Sequence, residues 1–187
     1  MPAVDPTRLR FQIDELMGHF DSPERFHRQL QNLFSLYANR ALRFGDEAAT
    51  RPLIPTYHLP PPVIRQLNLD LKPGLKSDPQ AALAVADELW TDDYLEVKQC
   101  AIFILGQVPA DNPEPVLERL DNWLASETER SLIAYLFSAG TVTLQVRFPE
   151  AWERFISQYL DQQAPEMISK GLMGLREGVR NTEFENL

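Results

Sequence analysis

Acidic side chains near the middle of the chain have the composition of a catalytic cluster. Asp92, Asp93 and Glu96 lie beside the aromatic residues Trp90 and Tyr94. Neighbouring carboxylates can act as general acid and base when their surroundings separate their pKa values. The same acids would also suit the first turn of a helix, where negative charge interacts favourably with the helix dipole. We expect this structural role.

The remaining candidate acids and the histidines show no metal-binding pattern. Glu127 and Glu129 precede another predicted helix, and we expect the same structural role for them. His19, His27 and His58 are the three histidines of the chain, and none has the spacing of a zinc motif such as His-Glu-x-x-His. We therefore expect structural or surface histidines and no bound metal.

The single cysteine and a glycine-rich segment also favour structural roles. Cys100 lies in an apolar stretch with no histidine nearby, which predicts a buried, unreactive thiol. Segment 170–178 is rich in glycine but keeps a helical period, so small residues here would let helices pack closely. The sequence contains no Gly-x-Gly-x-x-Gly or Walker motif, and we expect no cofactor.

Positive charge late in the chain is the remaining candidate for binding. Five basic residues form this set: Arg147, Arg154, Lys170, Arg176 and Arg180. On stacked helices they would line a concave face and contact phosphates or an acidic partner. The alternative is that they are scattered surface charges.

The overall charge opposes a general nucleic-acid-binding role. The chain carries 18 Lys and Arg against 27 Asp and Glu, a net charge of −9, and residues 76–130 alone hold 4 basic and 12 acidic groups. Contacts to DNA phosphates usually rely on Lys and Arg. No apolar run approaches the roughly 20 residues that span a bilayer, and the first residues lack the order of a signal peptide. We expect a cytoplasmic protein with no membrane contact.

The elements that would position these residues are predicted to be helices. Four capping residues precede proline, a typical helix-start signal, at Asp5-Pro6, Ser22-Pro23, Asp78-Pro79 and Asn112-Pro113. Apolar residues between these starts recur with helical period, as in Leu9, Ile13, Leu16, Met17 and Phe20. The segment around 94–108 is apolar on nearly all sides, so we expect it to be the most buried helix.

Short connections between such helices predict antiparallel pairs. We therefore expect an all-α fold, an α-α superhelix of the HEAT/ARM-like solenoid type, in a single domain of residues 1–187. Within it, residues 1–44 would form an N-terminal helix pair, 45–62 a long loop, and 63–187 the stacked pairs.

From about residue 54 onward, the sequence resembles the DNA alkylation repair glycosylase family. The resemblance rests on an extended proline-rich segment followed by two helices, and six residues match the family pattern by position: Tyr57, Arg65, Leu89, Trp90, Glu96 and Leu105. In that family, the fold is a superhelix of HEAT-like repeats, and the matching residues are mainly architectural. The resemblance therefore supports the predicted fold.

The catalytic motif of that family is missing here. Active members have Trp-Trp-Asp-x-Val-Asp, and its second aspartate stabilises positive charge on the sugar as the modified base departs. The alignment places residues 129–131 over Trp-Trp-Asp and Ala134 over the second aspartate, and a methyl group cannot stabilise such a charge. With a one-residue gap, the resemblance places a family arginine that contacts the DNA backbone at Lys170, which keeps the charge but loses the bidentate fork.

The resemblance without the motif predicts a non-catalytic HEAT-like binding or scaffold protein. The alternative is a divergent DNA glycosylase that excises alkylated bases with a relocated carboxylate. Whether the partner is a protein or a nucleic acid stays open at this point. A homodimer through the N-terminal helix pair, with Phe11 and Phe20 supplying apolar surface, also stays open.

Overall fold

The computed structural model describes residues 4–38, 54–109 and 111–179, and this part of the chain contains ten α-helices and no β-strand. The helices are α1 (Pro6–Met17), α2 (Pro23–Tyr37), α3 (Pro61–Ser77), α4 (Pro79–Trp90), α5 (Leu95–Gln107), α6 (Glu114–Ser126), α7 (Arg130–Ala139), α8 (Val142–Arg147), α9 (Pro149–Leu160) and α10 (Pro165–Val179). The predicted all-α fold class is confirmed, and the helix-on-helix packing is consistent with an α-α superhelix. No helix among the described residues is both long and apolar enough to cross a membrane.

Two of the four predicted capping residues, Asp5 and Asp78, cap their helices through the side chain, whereas Ser22 makes no side-chain capping bond and α6 begins at Glu114 with Pro113 at the N-cap. The Asp5 side chain accepts hydrogen bonds from the Thr7 and Arg8 amides at the start of α1. The Asp78 side chain accepts one from the Ala81 amide at the start of α4. Each bond satisfies a backbone N–H that has no partner within its helix. Local sequence therefore defines where these helices begin.

The chain forms two compact units, Met1–Ile104 and Leu105–Leu187, with the boundary inside α5. In the first unit, α1 packs against α2 and α3, and α4 packs against α2 and α3. Its core is apolar, and the largest fully buried side chains there include Phe26, Phe34, Leu67 and Leu89. The single-domain organisation stays a prediction. Of the long segment 45–62, only residues 54–62 lie within the described part of the chain, and 54–60 are non-helical.

The second unit depends on close helix contacts at glycines. In this unit, α10 packs against α7 and α9, α8 packs against α9, and α6 against α7. A Cβ atom at Gly174 would lie 2.4 Å from Ile156 Cδ1 and 2.8 Å from Phe137 Cε1. At Gly106, a Cβ atom would lie 1.8 Å from the backbone oxygen of Ala139. The prediction that small residues in 170–178 allow close packing is confirmed.

The apolar segment around 94–108 forms α5, and none of the residues of α5 from Leu95 to Gln107 is exposed. Cys100 is buried, and burial raises the pKa of its thiol to about 12. A thiol with such a pKa is almost entirely protonated at neutral pH and is a poor nucleophile. The predicted burial of the cysteine is confirmed.

Candidate functional site

The start of α7 is where the family resemblance places its catalytic carboxylate. Ala134 is half-buried in the second turn of this helix. Glu129 is the N-cap residue, and its Oε1 atom accepts hydrogen bonds from the Ser131 amide at 3.2 Å and the Ser131 hydroxyl at 2.9 Å. The buried Glu127 accepts bonds through Oε1 from the amides of Thr128 at 2.9 Å and Glu129 at 2.8 Å. The predicted structural role of both acids at a helix start is confirmed.

Another acid of the second unit also has a structural partner. The hydroxyl of Tyr159 donates a 2.8 Å hydrogen bond to Asp121 Oδ1, joining α9 to α6. Burial, followed by the hydrogen bond and the charge of Asp121, raises the pKa of Tyr159 above its ordinary value. The tyrosine is therefore a neutral hydrogen-bond donor at physiological pH.

Three of the predicted basic residues are exposed and lie on three different helices. Arg147, at the end of α8, has Nη2 3.6 Å from Asp111 Oδ1 and its guanidinium 5.7 Å from the Phe148 ring centre. Arg154 on α9 donates from Nε to the Glu150 carbonyl at 3.3 Å.

The third exposed residue, Arg176 on α10, has Nε 4.0 Å from Glu177 Oε1. Arg180 lies outside the described residues. Arg147 and Arg176 each have an acidic neighbour, which reduces the positive potential available to a ligand.

Lys170 differs from the other basic candidates because it is buried. Its side chain is 5% exposed, and Nζ donates a 2.6 Å hydrogen bond to the carbonyl oxygen of Leu124. Nζ also lies 3.6 Å from Glu166 Oε1. The ammonium thus binds a carbonyl in the last turn of α6, where the helix dipole favours a cation. The structure places Lys170 in the packing between α10 and α6, away from the exposed arginines.

In the first unit, the acids near Trp90 are held by bonds to other parts of the fold. Asp92 is buried, and its Oδ2 atom lies 2.6 Å from His27 Nε2 and 2.7 Å from the donating Gln31 Nε2. Its Oδ1 atom accepts a 2.6 Å bond from the Tyr94 amide. Glu88 Oε1 lies 3.0 Å from His27 Nδ1 on the other edge of the imidazole.

Glu96 fixes the extended segment 54–60 to the start of α5. The Glu96 carboxylate accepts hydrogen bonds from the amides of Tyr57 at 2.9 Å and His58 at 2.7 Å. His58 has a φ of 52°, so the backbone turns in the left-handed region where these two amides converge on one acceptor. The predicted location of Glu96 in the first turn of α5 is confirmed. Its bonds to the segment give it a tertiary role as well.

The six residues that match the family pattern occupy different environments. Leu89, Glu96 and Leu105 are buried, Tyr57 and Trp90 are half-buried, and Arg65 is exposed. The ring of Tyr57 stacks on Tyr94 with 4.2 Å between ring centres. The Lys98 ammonium lies 4.5 Å from the Trp90 ring centre. Tyr57 and Glu96 are brought together directly by the amide–carboxylate bond.

Sequence reasoning missed the joint role of His27, Glu88 and Asp92. These residues are separated by 61 and 65 positions from the histidine, so no spacing pattern connects them. The helical period places His27 on the face of α2 that also carries Gln31, but it does not name the acids that meet them. Among the described residues, no group of three or more His, Cys, Asp or Glu side chains is arranged to hold a metal ion.

These helices and their contacts define an all-α protein in which Glu129 caps α7 and Glu127 accepts hydrogen bonds from the two backbone amides that precede this helix. A model of the DNA alkylation repair enzyme family matches residues 38–168. The chain therefore belongs to the DNA alkylation repair enzyme family. Searches of curated proteins and of solved structures returned no match to the chain.

Proposed function

We propose that this chain is a non-catalytic binding protein of the DNA alkylation repair family. The proposal rests on the hydrogen bonds that occupy the acids at the start of α7. Ala134 supplies no carboxylate, and Glu127 and Glu129 bind backbone amides of the helix start. Stabilising an oxocarbenium-like sugar needs a negative group directed at the bound nucleotide. The dipoles of the amides that bind these carboxylates partly offset the negative potential that the carboxylates exert on a ligand.

The charge of the second unit supports a protein partner over DNA. Residues 105–187 contain 7 basic and 13 acidic side chains. Lys170 lies just beyond the matched residues 38–168, and the resemblance pairs it, with a one-residue gap, with the family arginine that contacts the DNA backbone. Its ammonium donates to the Leu124 carbonyl inside the fold. Binding to DNA depends on several free cations near phosphates. Stacked helix pairs of the HEAT-like type would instead offer an extended surface to a protein.

The alternative function is a divergent glycosylase, which the family membership favours. The test is release of 7-methylguanine from a methylated duplex by the wild type and by Glu127→Gln and Glu129→Gln. The exposed Glu153→Gln on α9 serves as the matched control. The proposal predicts no release above the protein-free rate in any sample. Release that is lost in Glu127→Gln or in Glu129→Gln, and kept in Glu153→Gln, would establish a glycosylase.

Location and oligomeric state stay predictions. We expect a cytoplasmic protein, and a dimer through the N-terminal helix pair is open to test. The Phe11 side chain on α1 is exposed, whereas Phe20 packs edge-on against Phe26 with 5.6 Å between ring centres. Phe11 on α1 and the equally exposed Leu36 on α2 would therefore supply apolar surface for such a dimer. Light scattering of the wild type and Phe11→Ser at high concentration would show whether this surface associates.

A further inference from the structure

His27 lies between two carboxylates that belong to different parts of the first unit. Glu88 is on α4, and Asp92 is in the turn between α4 and α5. We propose that His27 is a pH-sensitive latch, closed when both ring nitrogens carry protons, that joins α2 to Glu88 and Asp92 and opens at Glu88 when one proton is lost.

The hydrogen-bond chemistry requires two protons in the closed state. His27 Nδ1 lies 3.0 Å from Glu88 Oε1, and Nε2 lies 2.6 Å from Asp92 Oδ2. An ionised carboxylate only accepts hydrogen bonds, so both ring nitrogens must donate. A neutral imidazole has one N–H and one lone pair, and the lone pair would face a carboxylate oxygen at bonding distance. Loss of one proton therefore converts one of the two contacts from attraction to repulsion.

Differences in burial and bonding determine which contact opens. The Asp92 side chain is 3% exposed and is also held by Gln31 Nε2 and the Tyr94 amide. The Glu88 side chain is 32% exposed and can rotate into water. The remaining proton of His27 thus stays on Nε2 toward Asp92, and Nδ1 releases Glu88.

The groups around His27 favour the closed state near and below neutral pH. Burial lowers the pKa of His27, but the hydrogen bonds and charges of Asp92 and Glu88 outweigh it, and the net pKa is raised above 6.5. Tyr57 from segment 54–60 is neutral, because burial and the charge of Asp92 raise its pKa. Gln31, on α2 itself, carries no charge.

Other titratable groups lie on either side of α2. Asp21, Glu24 and Asp87 line a cleft with Glu88, of about 620 Å³. Glu15 and His19 line a groove between α1 and the opposite face of α2.

The sign of the pH effect follows from the raised pKa. Stability supplied by the latch is complete below about 6.5, the value expected for an unfolded histidine, and is lost as pH rises through the raised pKa of His27. Opening leaves the Glu88 carboxylate unbound at the edge of the acid-lined cleft. The latch therefore couples a pH above the raised pKa of His27 to the negative charge of that cleft.

The test is a pH titration of the full-length chain followed by nitrogen NMR of the histidine rings, with His27→Gln used to assign the signal. We expect both ring nitrogens of His27 to carry protons at pH 6.5, and Nδ1 to be the nitrogen that loses its proton as pH rises. A His27 ring with a single proton at pH 6.5, or loss of the proton from Nε2 in place of Nδ1, would overturn the latch.

Amide exchange across α2 and α4, expressed as protection factors, measures how much the latch stabilises these two helices. As pH rises from below 6.5 to above the raised pKa of His27, protection in the wild type should fall. The fall should be about tenfold for each unit by which folding raises this pKa. In Glu88→Gln, the amide can accept from a protonated Nδ1 or donate to a neutral one, so this pH dependence should become weaker, and only the part due to Asp92 should remain. An unchanged pH dependence in Glu88→Gln would refute the proposal, whatever the outcome for catalysis.

Discussion

The ammonium of Lys170 donates a 2.6 Å hydrogen bond to the carbonyl oxygen of Leu124, and this bond joins α10 to the last turn of α6. The amide of Thr128, four residues after Leu124, donates to Glu127 Oε1, so that amide is engaged elsewhere. Lys170 thus binds a carbonyl at the end of α6, and Glu127 binds the amides of the residues that connect α6 to α7. Both side chains therefore have structural roles at the junction between α6 and α7.

Lys170→Met should destabilise the protein by about 1–3 kcal/mol, because the Leu124 carbonyl is left buried without a strong donor. The methionine side chain fills a similar volume, so little of this change comes from packing. Chemical denaturation followed by circular dichroism measures the free energy of unfolding. The exposed Arg176→Met on the same helix is the control, and it should stay within about 0.5 kcal/mol of the wild type. Equal effects of the two substitutions would contradict this role of Lys170.

Gly106→Ala should be among the most damaging single substitutions in the second unit. The added Cβ would lie 1.8 Å from the Ala139 carbonyl oxygen, which belongs to the backbone of α7. We expect a loss of about 3 kcal/mol or more, because two backbones must separate.

The matched control for this substitution is Gly178→Ala, also within a helix. Its Cβ would meet Trp152 Nε1 at 3.5 Å, an ordinary contact. Since alanine favours helix more than glycine, Gly178→Ala should be neutral or stabilising by up to about 1 kcal/mol. The melting temperatures of the two variants test this prediction. A similar fall in both would contradict the close contact between α5 and α7 at Gly106.

Glu96→Gln should release segment 54–60 from α5. A carboxylate accepts from both the Tyr57 and His58 amides, whereas a glutamine amide directs an N–H group at one of these donors. We expect a cost of about 1–3 kcal/mol and faster amide exchange across this segment. Asp93→Asn, exposed and three residues earlier, should change neither quantity. Unaltered exchange in Glu96→Gln would mean that the carboxylate does not hold the segment.

The starts of α1 and α4 were predictable, because their causes are local. Asp5 and Asp78 cap α1 and α4 through amides two or three residues away, so a short sequence window contains the whole interaction. The close packing at Gly174 was also predictable, because its helical period is visible in the sequence.

The side-chain partners within the two units were not predictable in the same way. Lys170 is 46 residues from Leu124, and His27 is 65 residues from Asp92. Nothing in the spacing of these pairs indicates that they meet. A basic residue in an amphipathic helix is usually a surface residue, so the burial of Lys170 depends on the packing of α6 and α10. The same limit explains why the exposed and buried members of the basic set could not be separated from sequence.

Cys100 should resist alkylation in the folded protein. Burial raises its pKa to about 12, so thiolate is scarce at pH 8, and the surrounding apolar side chains exclude the reagent. Iodoacetamide labelling followed by mass spectrometry should show modification only under unfolding conditions, where the thiol regains an ordinary pKa. Rapid labelling of the native protein at pH 8 would contradict the burial of this residue.

The most direct measurement of the central claim is a time course of purine release from methylated duplex DNA, with wild-type protein in excess over its substrate. Because Ala134 supplies no carboxylate and the acids near it cap α7, we predict that release proceeds at the rate of the DNA alone. Release faster than that rate, abolished by substituting an acid of this protein, would contradict the account and establish a glycosylase.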